Sequence, residues 1–247
     1  MRTPIVLTLF ALTLTTHAAA AAPPVHAVRA DRPILVDGLL DEEVWKAAPV
    51  IDGLGQKEPD QGSPARQRSE VRLAFDDDAL YVGARLYDSA PDSIIARLTR
   101  RDGNITSDAF AVFLDPFHDR RTGYYFGVTA AGVQLDGTLM NDSWDDDSWD
   151  AVWSSAVKRD ARGWTLELRI PYSQMRFRGG EQMVWGVNFK RFIPRYNEED
   201  LLEYIYGMTA ESRPNRLFDH LRSMNLLFLG CNYPDWLSRF FIRLLKA

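Results

Sequence analysis

Cysteine is almost missing from this chain. Cys231 is the only one in 247 residues, so no intrachain disulfide can form and no cysteine pair can hold zinc. Histidine is scarce too, with four in all. None of them sits in a nucleophile motif, and the G-x-S-x-G elbow of the α/β-hydrolases is absent. No glycine-rich loop precedes a helical pattern, as phosphate binding would need. Positive charge is not in excess: the net charge is -5 and the pI about 5.4, which argues against a nucleic-acid partner.

The apolar run at residues 5–14 is too short to cross a bilayer. It follows Arg2 and precedes small residues with A-x-A spacing at Ala18/Ala20 and Ala20/Ala22. That pattern reads as a secretory signal peptide over residues 1–22, hence an exported protein of the periplasm, cell envelope or exterior. About 225 residues remain, enough for one β domain with an appendage. Without disulfides, stability must come from packing. Seven Trp, nine Tyr and thirteen Phe supply the large buried areas this takes.

What is present is a series of short strands. Residues 70–87 alternate apolar and polar on both sides of Asp76-Asp77-Asp78, the pattern of a half-buried antiparallel hairpin with a solvated turn. Residues 110–114, 124–128 and 133–139 are β-branched and aromatic runs joined by turn-rich connectors. Gly132 can take the positive φ that a tight hairpin needs. Residues 164–170 alternate again until Pro171, and 184–192 form a further strand. Residues 34–36 read as a short strand. Asp41 reads as the cap of a helix over 42–48, with Trp45 as a core anchor. Residues 52–69, rich in Gly and Pro, read as a loop. Seven or more short strands predict an all-β antiparallel β-sandwich of the jelly-roll or immunoglobulin-like kind.

The texture changes near Asn197. Residues 198–206 and 217–224 read as helical. Trp236, Leu237, Phe240, Phe241, Leu244 and Leu245 make one stripe on a last helix, with Arg239, Arg243 and Lys246 off it. The expected organisation is thus a signal peptide at 1–22, the sandwich at 23–197 and a short helical C-terminal appendage at 198–247.

The loop N-D-S-W-D-D-D-S-W-D at 141–150 offers the main candidate site. A sugar ring presents a C–H face to an aromatic and its hydroxyls to polar side chains. Trp144 and Trp149 would stack, with Asn141, Asp142 and Arg101 as polar contacts. Closely spaced carboxylates also suit a hard cation such as calcium, for which Asp145, Asp147 and Asp150 are the candidates. The loop does not match an EF-hand. The competing expectations are two indoles packed into the sandwich below a solvated acidic loop, and a surface ion-pair cluster around Arg100, Arg101 and Asp102. Trp153 reads as core.

I-L-V-D-G-L-L-D-E-E-V-W at 34–45, D-D-D-A-L-Y-V-G at 76–83, F-L-D-P-F-H-D-R-R-T at 113–122, A-A-G-V-Q-L-D-G at 130–137, W-D-A-V-W at 149–153 and W-G-V-N-F-K-R at 185–191 occur in a specific order and spacing. In them the chain resembles the family 9 carbohydrate-binding domain, as found at the N-terminus of large bacterial envelope proteins. The resemblance implies a β-sandwich, an oligo- or polysaccharide ligand held between aromatic rings, structural calcium, and a non-catalytic role accessory to carbohydrate catabolism. It also suggests association with the outer membrane. Ala111 stands where family 9 modules tend to carry glutamate, and Thr129 where the envelope proteins tend to carry asparagine. Two alternatives follow: an envelope scaffold without sugar binding, and a hydrolase of O-glycosyl bonds. The tail is similar to a segment of bacterial sirtuin-like defence proteins, which are cytosolic. A reading frame joining two unrelated genes would account for that, and the tail is too short for a nucleotide-binding fold.

Overall fold

The alternating segments become two stacked β-sheets in the computed structural model, which describes residues 25–103, 106–140, 144–177 and 184–202, except for the side chains of residues 144 and 145. The segment expected to be a signal peptide and the helices expected beyond residue 202 lie outside the described residues.

The smaller sheet has the order β1-β3-β4-β10-β9. Its strands are β1 (Val28–Arg29), β3 (Ser69–Phe75), β4 (Ala79–Tyr87), β9 (Ser154–Asp160) and β10 (Gly163–Pro171). The larger sheet has the order β2-β12-β11-β5-β6-β7-β8. Here the strands are β2 (Leu54–Glu58), β5 (Ala109–Asp115), β6 (Thr122–Thr129), β7 (Gln134–Met140), β8 (Trp144–Asp146), β11 (Gly186–Ile193) and β12 (Glu198–Leu202). All pairings are antiparallel except β1 with β3. The sandwich expected from strand periodicity is therefore the observed architecture.

The core lies between the sheets. Val82, Ala84 and Leu86 of β4 and Leu166, Leu168 and Ile170 of β10 meet Phe110, Val112, Phe126 and Phe189 from the larger sheet, all buried. The smaller sheet is also covered on its outer face. There the short helix α1 (Glu43–Ala47) buries Trp45 against Ala74, Ala79 and Tyr81. A Cβ on Gly83 would lie 2.8 Å from Leu40 and 3.0 Å from Trp45, so the missing side chain there is what admits the indole. Glu167 of β10 is fully buried beneath this layer. It accepts N–H bonds from Asp37 (2.9 Å), Gly38 (2.8 Å) and Trp45 Nε1 (2.8 Å).

Four local expectations need correction. Residues 34–36 form no strand, and the N-terminal pairing is made by Val28–Arg29 instead. Glu42, not Asp41, occupies the N-cap of α1, and its side chain makes no capping bond. The Gly- and Pro-rich segment after residue 51 contains β2. Residues 198–202, read as the start of a helix, are β12, paired to β11 on one side and β2 on the other. Both partners are needed to see either strand: a backbone pairing of distant segments overrides a helical local preference. The Asp76-Asp77-Asp78 turn is as expected, with Asp76 accepting from the Asp78 and Ala79 N–H groups.

Candidate functional site

The outer face of the larger sheet carries an open trough of about 360 Å³. Its shape follows from the register. In the central row Lys190, Ala111, Gly127 and Leu135 are cross-strand neighbours. Ala111 and Gly127 have almost no side chain, so the floor is low there. One row away lie Phe113 and Tyr125, opposite each other with ring centroids 6.0 Å apart. One row away on the other side lies Phe192, paired with Ala109. The two aromatic rows are four residues apart along the strands, about 13 Å at 3.3 Å per residue. Tyr125 can lie over β7 because its partner is Gly137: a Cβ there would sit 2.5 Å from the Tyr125 ring.

One end of the trough is charged. Glu199 of β12 accepts from Lys190 (2.7 Å) and Lys57 (3.1 Å). Burial alone would raise the Glu199 pKa, but the bond and charge of Lys190, with Lys57 behind it, hold it below the usual carboxylate range. Asn188, in the row of Phe113, gives its Oδ1 to the Phe189 N–H. Its Nδ2 is buried and has no acceptor among the described residues.

The loop singled out in the sequence is built differently. Trp149 is half-buried, its indole 5.2 Å from Tyr124 and edge-on to Phe126 at 6.0 Å. It packs against the core and does not stand free. Arg101 is likewise engaged. Its Nε donates to Asp136 at 2.8 Å, Nη2 reaches both Asp136 oxygens, and Nη2 also bonds the Ala151 carbonyl at 2.6 Å. Burial works against the Arg101 charge, yet the bond and charge of Asp136 outweigh it and raise the pKa. Asp150 lies 3.3 Å from Arg101 Nε. Asp102, Asp136 and Asp150 bring carboxylate oxygens within 4.8 Å of one another. Asp136 is fully committed, however: it also accepts from the Ala151 N–H at 2.7 Å. A cation there would have to displace the Arg101 guanidinium, so these three acids suit an arginine better than a metal. Asp147 is exposed on a turn. Asn141 and Asp142, and the side chains of Trp144 and Asp145, lie outside the described residues. Trp153 is buried as expected.

The trough residues were in view as strand residues but not as a site. Two signals pointed to them. Ala109, Ala111 and Phe113 fall on the face of β5 opposite Phe110, Val112 and Leu114. Tyr124 and Tyr125 are adjacent in a strand, so one of them must face outward. Thr129 proves to be a hairpin residue: its Oγ1 accepts the N–H groups of Ala131 and Val133.

Comparison with solved structures finds the same fold in proteins described as carbohydrate-binding. A family 9 module from Caldicellulosiruptor kristjanssonii, solved in complex with cellotriose, aligns over 71% of this chain and 82% of its own, with 19% identity and a TM-score of 0.51. A protein from Bacteroides uniformis, provisionally assigned to carbohydrate binding, aligns over 72% of this chain and 88% of its own, with 13% identity and a TM-score of 0.56. At these identities the likeness is one of fold. No curated protein sequence matches the chain. The sequence profile of the carbohydrate family 9 binding domain-like family matches residues 36–193, which run from the loop under α1 to the end of β11, and by that match the chain belongs to this family.

Proposed function

We propose that the chain is an exported, non-catalytic carbohydrate-binding module that lays an oligosaccharide along the trough of the larger sheet. The observation that carries this reading is the low Ala111–Gly127 floor between two aromatic rows. Aromatic faces accept the C–H faces of pyranose rings, and a few polar groups set orientation. Tyr125, Phe113 and Phe192 supply the faces. Lys190 and Glu199 supply hydrogen bonds at one end. The relative solved with cellotriose makes a glucan oligosaccharide the first ligand to try.

Hydrolysis is disfavoured by the same geometry. Glycosidases use two carboxyl groups, one of them held protonated. The trough is lined by one, Glu199, which two lysines keep ionised. The test is titration of the full-length protein with a panel of oligosaccharides, cello-oligosaccharides included. Tyr125→Ala should weaken binding about two- to tenfold, since an aromatic contact contributes ~0.5–1.5 kcal/mol beyond area. Trp149→Ala should cost stability and leave affinity intact. Unchanged affinity in a folded Tyr125→Ala protein would remove the trough as the site. A flat response to the whole panel would leave the scaffold reading.

A further inference from the structure

Charge is uneven along the outer face of the larger sheet. Of the residues that line the trough, Lys190 and Glu199 are the charged ones. They do not form an isolated pair. Glu199 Oε1 lies 2.7 Å from Lys190 Nζ, and Glu199 Oε2 lies 3.1 Å from Lys57 Nζ. Each carboxylate oxygen thus meets its own ammonium, and the trio is left with a single net positive charge. The residues directly across the ladder from Lys190 are Ala111 and Leu201, whose side chains accept no hydrogen bond. An ammonium has three N–H donors. Among the described residues, Glu199 is the one acceptor that Lys190 Nζ meets.

A structural clamp does not call for this arrangement. One lysine and one acid would tie β12 to a neighbouring strand, and an exposed ion pair contributes only ~0–1 kcal/mol. The Lys190 side chain is 32% exposed and that of Lys57 43%, so a ligand can reach both charges. The surroundings sharpen the charge of Lys190. It shares one face of β11 with Phe192, two residues on and about 7 Å along the strand, and it borders the floor of Ala111 and Gly127. A charge among apolar side chains is screened less than one in open water. A neutral sugar would leave that charge unanswered. A sugar with an anionic group on its ring answers it while its C–H face rests on an aromatic.

We propose that the trough selects an anionic saccharide, with one sugar ring on Phe192 and the exocyclic anion of that ring, a carboxylate or a sulfate, on Lys190 Nζ. Lys57 stands behind and keeps Glu199 from cancelling the charge of Lys190. This inference rests on the trough being the sugar site and adds the class of sugar it takes. Lysine is a point charge without the planar fork of arginine, so it accepts either anion.

The test is calorimetric titration of the full-length protein with three probes of equal length: a neutral cello-oligosaccharide, its cellouronate counterpart and its sulfate-ester counterpart. At least one anionic probe should bind about three- to tenfold tighter than the neutral one, and the two anionic arms tell carboxylate from sulfate. About 0.5 M NaCl should shrink the ratio. Lys190→Gln should bring it close to one and Glu199→Gln should raise it, a split that a purely structural trio would not give. Either variant serves if the other does not fold. Arg159→Gln, on β9 of the other sheet, removes the same charge as Lys190→Gln and should leave the ratio alone. Equal affinity for all three probes would overturn the proposal and leave the trough reading in place, whereas binding of none would remove both. A ratio lowered as much by Arg159→Gln as by Lys190→Gln would also overturn it, because net charge alone would then explain the preference.

Discussion

Glu167 gives the sharpest test of the reasoning about buried charge. It is fully buried below α1 and accepts three N–H bonds. Burial raises its pKa to about 7, against the pull of the Gly38, Asp37 and Trp45 donors. In the unfolded chain a glutamate titrates near ~4.3. The folded state therefore binds this proton more tightly than the unfolded state. Its contribution to stability is fully present below pH ~4.3, fades as pH rises, and is gone above about 7. The gap of about 2.7 between the two values, at ~1.36 kcal/mol for each tenfold, makes about 4 kcal/mol in all, of which about 3 kcal/mol falls between pH 4.5 and 7.5, a shift of roughly 6–12 °C in Tm for a domain of this size. The assay is thermal unfolding of the wild type and Glu167→Gln at intervals from pH 4.5 to 7.5. Comparing the two proteins at each pH cancels the other acids. The glutamine cannot titrate, so the wild type should lose about 3 kcal/mol relative to it across the range. A constant difference would refute the raised pKa. A wild type that gains on the variant with rising pH would show that the three donors outweigh burial.

Two further outcomes follow from single contacts. Gly137→Ala places a Cβ 2.5 Å from the Tyr125 ring and 2.6 Å from the Asp146 carbonyl, so the ring and β8 must move. Overpacking of this kind costs about 1–3 kcal/mol, and the displaced platform should weaken oligosaccharide binding more than the drop in Tm alone explains; calorimetric titration beside a melting curve separates the two. Arg101→Met leaves the fully buried Asp136 without its cation. Breaking a buried pair costs ~3–5 kcal/mol, less here because Arg101 is a third exposed, so about 2–3 kcal/mol should be read from a urea midpoint. Added calcium should not rescue this variant.

The parts of the fold that the sequence made legible are those where one face of a strand meets the core and the other meets water. The β3–β4 hairpin is the case in point: Val71, Leu73, Val82, Ala84 and Leu86 fall on one side by period two, and all are buried. Legibility fails where a second layer covers the outer face. Thr165 and Glu167 alternate with the core residues of β10 and read as solvent-facing, yet both are buried because the segment before α1 and Trp45 lie over them. It fails again for the site. The trough depends on which residues stand side by side across four strands, and Ala111, Gly127 and Gly137 carry no chemistry that would draw notice in a linear reading. The Trp-rich loop drew notice for its chemistry, but Trp149 spends its ring on Tyr124 and Phe126.

β12 combines both failures and shows what they have in common. E-E-D-L-L has two acids in alternation, and the rule that acids face water would turn Glu198 and Asp200 outward. The structure turns them inward and leaves Glu199 and Leu201 outside. What reverses the rule is the company across the ladder: Arg191 and Gln56 flank Asp200 in register, Arg66 reaches Glu198, and Glu199 faces Lys190 and Lys57 on the trough side. One five-residue strand thus supplies the polar end of the proposed sugar trough on one face and a buried acidic pair, faced by arginines, on the other.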